Sequence, residues 1–138
     1  MKILAAVDFS TATECILRAA KTYAQTLDAE VYLVHVEPPE AVSRKHNPDE
    51  TVRNVKTESV RLMKNAKALQ RTGVKAIPVI LQGAVSKTLL AEAERLEADL
   101  IIAGMHGHGF VRNRLVGSAT EDILRQSKVP VLLIPKKD

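Results

Sequence analysis

The sequence predicts a single α/β domain, a doubly wound sheet of five parallel strands with helices on both faces. Three observations carry this. Five short apolar runs, most of them rich in β-branched residues, recur along the chain. The segments between them return their apolar residues every three or four positions, the spacing of an amphipathic helix. Each intervening segment is also long enough for the right-handed crossover that parallel strands require. At 138 residues the chain has about the length of one domain, and it shows no internal repeat, linker or low-complexity tract.

The first strand is expected over Lys2–Val7, bounded by Asp8-Phe9-Ser10. A helix follows, with Ile16, Leu17, Ala20, Tyr23, Ala24 and Leu27 on one stripe, and Thr11 and Glu14 stand at capping-box spacing before it. Cys15 lies in that helix and reads as a small core residue. Glu30–Val36 forms the second strand. Glu37–Pro48, with three prolines, reads as a loop. A long polar helix then runs from about Asp49 to Thr72, keeping Val52, Val55, Leu62, Met63, Ala66 and Leu69 to one face until Gly73 stops it. Val74–Leu81 is the third strand, and Pro78 assigns it to a sheet edge because proline cannot donate to a ladder. A helix over Val85–Glu97, a wholly apolar strand at Asp99–Ala103, a helix from Ser118 to about Ser127 and a last strand at Pro130–Ile134 complete the order.

Composition narrows the function. Apolar residues make up 46% and charged residues 26%, ordinary for a soluble globular protein. No apolar run approaches the roughly 20 residues that span a bilayer, so no membrane insertion is expected. Met1-Lys2-Ile3-Leu4 runs straight into a strand pattern, and a single cysteine allows no internal disulfide; both suit a cytoplasmic setting. The net charge of +4 suits an anionic ligand or a solvated surface. A nucleic-acid partner is not expected, since aromatics are 3% of residues and offer bases little to stack on.

Ligands of open parallel sheets bind beyond the carboxyl ends of strands, where the winding reverses. Two such ends carry unusual residues: Val7-Asp8-Phe9-Ser10, and Gly104-Met105-His106-Gly107. Gly104 and Gly107 allow close approach of a ligand to the backbone. Gly117-Ser118 then opens a helix, whose free N–H groups and partial positive charge suit phosphate oxygens. The alternative for these residues is a set of turns and a serine cap. Neither G-x-x-x-x-G-K-[ST] nor G-x-G-x-x-G is present, so the site is neither a P-loop nor a dinucleotide fingerprint.

Asp8 would repel phosphate and so suits ribose hydroxyls or a bridging metal ion, unless it merely forms an Asx turn. It is the only acid expected at the crevice, which leaves general acid–base chemistry without a partner. No catalytic residue is therefore assigned. His106 and His108, without a nearby cysteine, make a poor metal set, and a hydrogen bond from His106 to phosphate is preferred. Arg112 and Arg114 could reach a terminal phosphate. His35 sits in a strand and is expected to pack in the core or at an interface.

These residues resemble the universal stress protein family over the whole chain. The likeness lies in Ile3–Ser10, in Leu33-Val34-His35-Val36, in Val129–Ile134, and above all in G-x2-G-x9-G-[ST], met by Gly104, Gly107, Gly117 and Ser118. In that family the pattern marks the ATP-binding branch. The resemblance implies a strand order 3-2-1-4-5, with Asp8 and Gly104 at the ribose and the main chain of Val7 and Val36 beside adenine. It further implies phosphates held by Gly107, Gly117, Ser118, Ala119 and Thr120, with His106 close by, and dimerisation through the last strand, Pro130–Ile134. The expected function is thus an ATP-binding regulatory protein of the stress response, a nucleotide-dependent switch whose ATP is accompanied by Mg2+ where a metal takes part. The alternatives are a slow ATPase or autophosphorylating enzyme, and an AMP or cyclic AMP binder using the same pocket.

Overall fold

Alternation of buried side chains along β1 (Lys2–Ala6) explains the layering of the whole domain. Ile3 and Ala5 face one side of the sheet and Leu4 the other, as the period of two in a strand demands. The computed structural model describes residues 1–38, 48–105 and 116–135, with only the backbone of residues 48–55. Within these residues β1 is followed by α1 (Thr13–Leu27), β2 (Glu30–Glu37), α2 (Pro48–Gln70) and β3 (Ala76–Gln82). Then come α3 (Val85–Leu96), β4 (Leu100–Gly104), α4 (Ser118–Gln126) and β5 (Val131–Ile134).

The strands form one sheet in the order β3-β2-β1-β4-β5, every pair parallel. This is the expected architecture, with boundaries moved by one or two residues. Pro78 does lie in an edge strand, paired on one side with Leu33 of β2. Ile3, Ala5, Val31, Leu33 and Ile102 pack against Ile16, Ala20 and Ala24 of α1 and Leu62, Ala66 and Leu69 of α2. On the opposite face Leu4, Val34, Val36 and Ile101 pack against Leu89, Ala93 and Leu96 of α3 and Ile123 of α4. The central strands are thus buried on both faces, which is why they read as unbroken apolar runs.

Three details of the helices differ from the sequence expectation. Tyr23 and Leu27 of α1, and Met63 of α2, are expected on core stripes yet are exposed, while Ile16, Ala20, Ala24, Leu62, Ala66 and Leu69 of the same helices are buried. Cys15 is half-buried rather than core. The capping box of Thr11 and Glu14 does not form: α1 starts from Ala12 with no side-chain cap, and Glu14 instead lies 3.8 Å from Arg18 one turn on. Gly73 does end α2, at φ +89°, a conformation that L side chains resist.

Glu92 of α3 is a carboxylate buried on this framework. Arg95 donates to both of its oxygens, with Nη2 2.9 Å from Oε2. That paired hydrogen bond outweighs the opposing effect of burial and holds the Glu92 carboxyl below its ordinary value of 4.5. A carboxyl lowered by folding stabilises the fold above its unfolded value and loses that contribution as pH falls. In urea unfolding the stability gap between wild type and Glu92→Gln is therefore expected to be open at neutral pH and to close as pH drops below 4.5. Ile102→Ala, at a position with no exposed surface, is expected to cost about 2–5 kcal/mol with an unchanged urea dependence.

Candidate functional site

The sheet winds outward in opposite directions from the β1–β4 pair. Beyond these two strands the chain departs to opposite faces, so their carboxyl ends leave a gap. A cleft of about 340 Å³ opens there. Every expected site residue in the described stretches lines it: Val7, Asp8, Val36, Gly104, Gly117, Ser118, Ala119 and Thr120. His106 and Gly107 lie outside the described residues, as do His108, Arg112 and Arg114.

On the β4 side the cleft is closed by the first turn of α4. Gly117 is its N-cap and no side chain caps it, so the proposed serine cap is absent: Ser118 is already the first helical residue and is exposed. Gly117 sits at φ −62°, open to any residue, so its backbone conformation does not require glycine. The first turn is anchored at two points. The N–H of Gly117 donates to Met105 O at 2.8 Å, and the buried Thr120 hydroxyl donates to Gly104 O at 2.9 Å. Thr120 Oγ1 therefore fastens the helix to the end of β4. The N–H groups of Ser118, Ala119 and Thr120 precede the first intrahelical bond, from Glu121 N–H to Gly117 O, and have no acceptor within the helix.

On the β1 side the chain makes a tandem of short turns. Asp8 Oδ1 accepts from the N–H of Ser10 at 2.9 Å, and Ser10 Oγ accepts from the N–H of Ala12 at 3.2 Å. These two bonds start α1 in place of the capping box, because Asp8 and Ser10 reach the backbone first. The Asx turn occupies one Asp8 oxygen and leaves the carboxylate a second. Phe9 between them is held at φ 59°, an uncommon and costly conformation for a residue with a side chain.

Asp8 is not the only acid at the crevice, contrary to the sequence expectation. Glu37 and Glu58 also line it, beside His35. His35 and Glu37 are two residues apart on β2 and so share the face covered by α2, which brings Glu58. His35 Nε2 lies 2.8 Å from Glu37 Oε1 and 3.0 Å from Glu58 Oε2. Its Nδ1 lies 2.7 Å from Val7 O, which can only accept, so Nδ1 carries a proton and donates it. The other ring nitrogen then faces two carboxylates, and a positive charge, proton or metal ion, must lie among the three. Phe9 packs on the imidazole at 4.6 Å between ring centroids, and the Arg61 guanidinium lies over Phe9 at 5.7 Å. The H-x-E spacing at the end of an apolar strand carried the signal for the first two members. It was hidden because Glu37 was assigned to the loop that follows.

The chain matches the model of the universal stress protein family over residues 1–135. It is 28% identical to universal stress protein MJ0577 of Methanocaldococcus jannaschii, covering 99% of this chain and 96% of that protein. The solved structure of MJ0577 superposes with a TM-score of 0.85 at 31% identity, over 99% of this chain and 96% of the other. A universal stress protein of Thermus aquaticus is 32% identical over 96% of each chain. The fold is also that of the universal stress protein of Archaeoglobus fulgidus solved in complex with dAMP, at a TM-score of 0.74 and 23% identity over 97% of each chain. With its sheet order and its matched length, this chain belongs to the universal stress protein family.

Proposed function

We propose that this chain binds an adenine nucleotide, ATP in the first instance, in the β1–β4 cleft, and acts as a nucleotide-dependent switch in the stress response. The observation that carries this reading is the uncapped first turn of α4, fastened to β4 by Thr120 and opening onto a cleft that Asp8 borders from the other strand. Phosphate oxygens suit the three N–H groups of that turn and the positive end of its dipole. Asp8, with an oxygen to spare beyond its Asx turn, suits the ribose hydroxyls. The main chain at Val7 and Val36 then flanks the base, with Gly104 beneath the sugar and His106 and Gly107 toward the phosphates. Mg2+ would accompany the phosphates. The dAMP complex of the Archaeoglobus fulgidus protein supports the choice of an adenine nucleotide in this fold. It leaves AMP and cyclic AMP as competitors for the same pocket.

Any hydrolysis in this arrangement is expected to be slow, with a slow ATPase as the second reading. The newly found His35, Glu37 and Glu58 would be the only described candidates for a base besides Asp8, and they stand at the end of β2. Two strand spacings, roughly 10 Å, separate β2 from β4 and the phosphate end. Regulation through a homodimer is the natural complement, since β5 is an apolar edge strand paired only with β4 among the described strands. A cytoplasmic setting fits a ligand of this kind.

Two substitutions test the reading by equilibrium titration with Mg-ATP. Gly117→Val leaves the backbone unstrained but crowds the cleft, and is expected to weaken binding at least about 10-fold. Asp8→Asn keeps an oxygen for the Asx turn while removing the charge that favours ribose hydroxyls, and is expected to weaken ATP, AMP and cyclic AMP alike by about 10-fold. Absence of wild-type binding at millimolar Mg-ATP would overturn the proposal.

A further inference from the structure

We infer that His35, Glu37 and Glu58 form a binding site for one divalent first-row transition-metal ion, with these three as its protein ligands and independent of nucleotide. Three observations converge. Their ligand atoms lie within 4.8 Å of one another, with two carboxylate oxygens at 2.8 and 3.0 Å from the same imidazole nitrogen. Cis ligands of a six-coordinate ion at about 2.1 Å stand about 3.0 Å apart, so each carboxylate oxygen already stands from the imidazole nitrogen as a cis ligand does. The imidazole is also oriented as a ligand should be. Donation from Nδ1 to Val7 O fixes the tautomer whose Nε2 lone pair points at the carboxylates, the outer-shell arrangement that metal-binding histidines use.

Charge balance separates a metal ion from a proton. The His35 and Glu37 side chains are 7% and 5% exposed and Glu58 is 26% exposed, so two carboxylates meet where water compensates little. An imidazolium would neutralise one of them and leave a net negative charge. Arg61, one turn from Glu58 on the same helix, has its guanidinium over the Phe9 ring. A divalent ion with a neutral imidazole and two carboxylates is electroneutral, which removes the cost of a buried net charge. The ligand set also selects the ion. Magnesium and calcium take oxygen ligands, whereas an imidazole with two carboxylates suits Mn2+ through Zn2+. The cluster borders the cleft, so the remaining coordination positions are left to water or to a ligand lying there.

The test uses the full chain, stripped by chelator and free of nucleotide, so that its outcome does not depend on whether ATP binds. Calorimetric titration with Zn2+ is expected to show one equivalent bound, with Mg2+ at least 10-fold weaker by the preference of imidazole for the softer ion. Three other histidines, His46, His106 and His108, could capture metal, so the same titration is run on the variant H46N/H106N/H108N, which is expected to keep the site. Glu58→Gln, at a partly exposed helix position that should not unfold the chain, and Glu37→Gln are each expected to weaken Zn2+ at least about 10-fold. In wild type, Co2+ is expected to shift the His35 imidazole resonances selectively. The proposal is overturned if wild type binds no Zn2+, if the triple variant loses it, if Glu58→Gln binds unchanged, or if Co2+ acts on the other histidines and leaves His35 unmoved.

Discussion

The pairing of β1 with β4 is the constraint on which the rest depends. Ile3, Leu4 and Ala5 stand opposite Leu100, Ile101 and Ile102, strands that are far apart in sequence and were brought together by a crossover. Because the chain winds away from this pair in both directions, a cleft opens at the ends of β1 and β4 among the described residues. Everything chemical follows from that gap. It is where Asp8 emerges, where α4 presents its first turn, and where the two carboxylates beside His35 find an opening to solvent. A sheet wound in one direction only would have buried these ends beneath its own helices.

The anchoring of α4 shows how such a gap is kept in shape. A helix end with unsatisfied N–H groups is a useful ligand site only if its position is fixed before a ligand arrives. Here the fixing is done by Gly117 N–H on Met105 O and by Thr120 Oγ1 on Gly104 O. Both bonds tie the first turn to the strand whose end forms the floor of the cleft. The Thr120 side chain holds the helix, while its backbone N–H has no acceptor within the helix. Sequence reasoning assigned Thr120 to the phosphates and could not see the anchoring bond, since a hydroxyl at a helix start looks the same whether it meets a phosphate or a carbonyl.

The fold was legible because its determinants are local and periodic. Runs such as Leu100–Ala103 and Val31–Val34 are apolar throughout, and only a strand buried on both faces needs that. The adjacency of β1 and β4 was not in the periodicity at all; it came from the family likeness of Gly104, Gly117 and Ser118. The His35 cluster escaped for a different reason. Glu58 lies 23 positions from His35, beyond a proline-containing stretch, and helix phase alone does not say which turn of α2 meets the end of β2. The capping box failed on competition. Thr11 and Glu14 had the right spacing, but Asp8 and Ser10 satisfied the entering backbone first.

These turns also join the two ends of the cleft. Val7 donates its N–H to Val34 O at 2.9 Å and accepts His35 Nδ1–H on its carbonyl, so the end of β1 is clamped to β2 through both backbone polar groups of one residue. Asp8 is the next residue, and Phe9, in its strained left-handed conformation, packs on the same imidazole that Val7 holds. The strain of left-handed Phe9, about 1–3 kcal/mol, is offset by surrounding contacts, among them His35, Arg61 and the core against which its ring packs. His35 thus touches the residues on either side of Asp8, whose carboxylate is itself held by the Asx turn to Ser10.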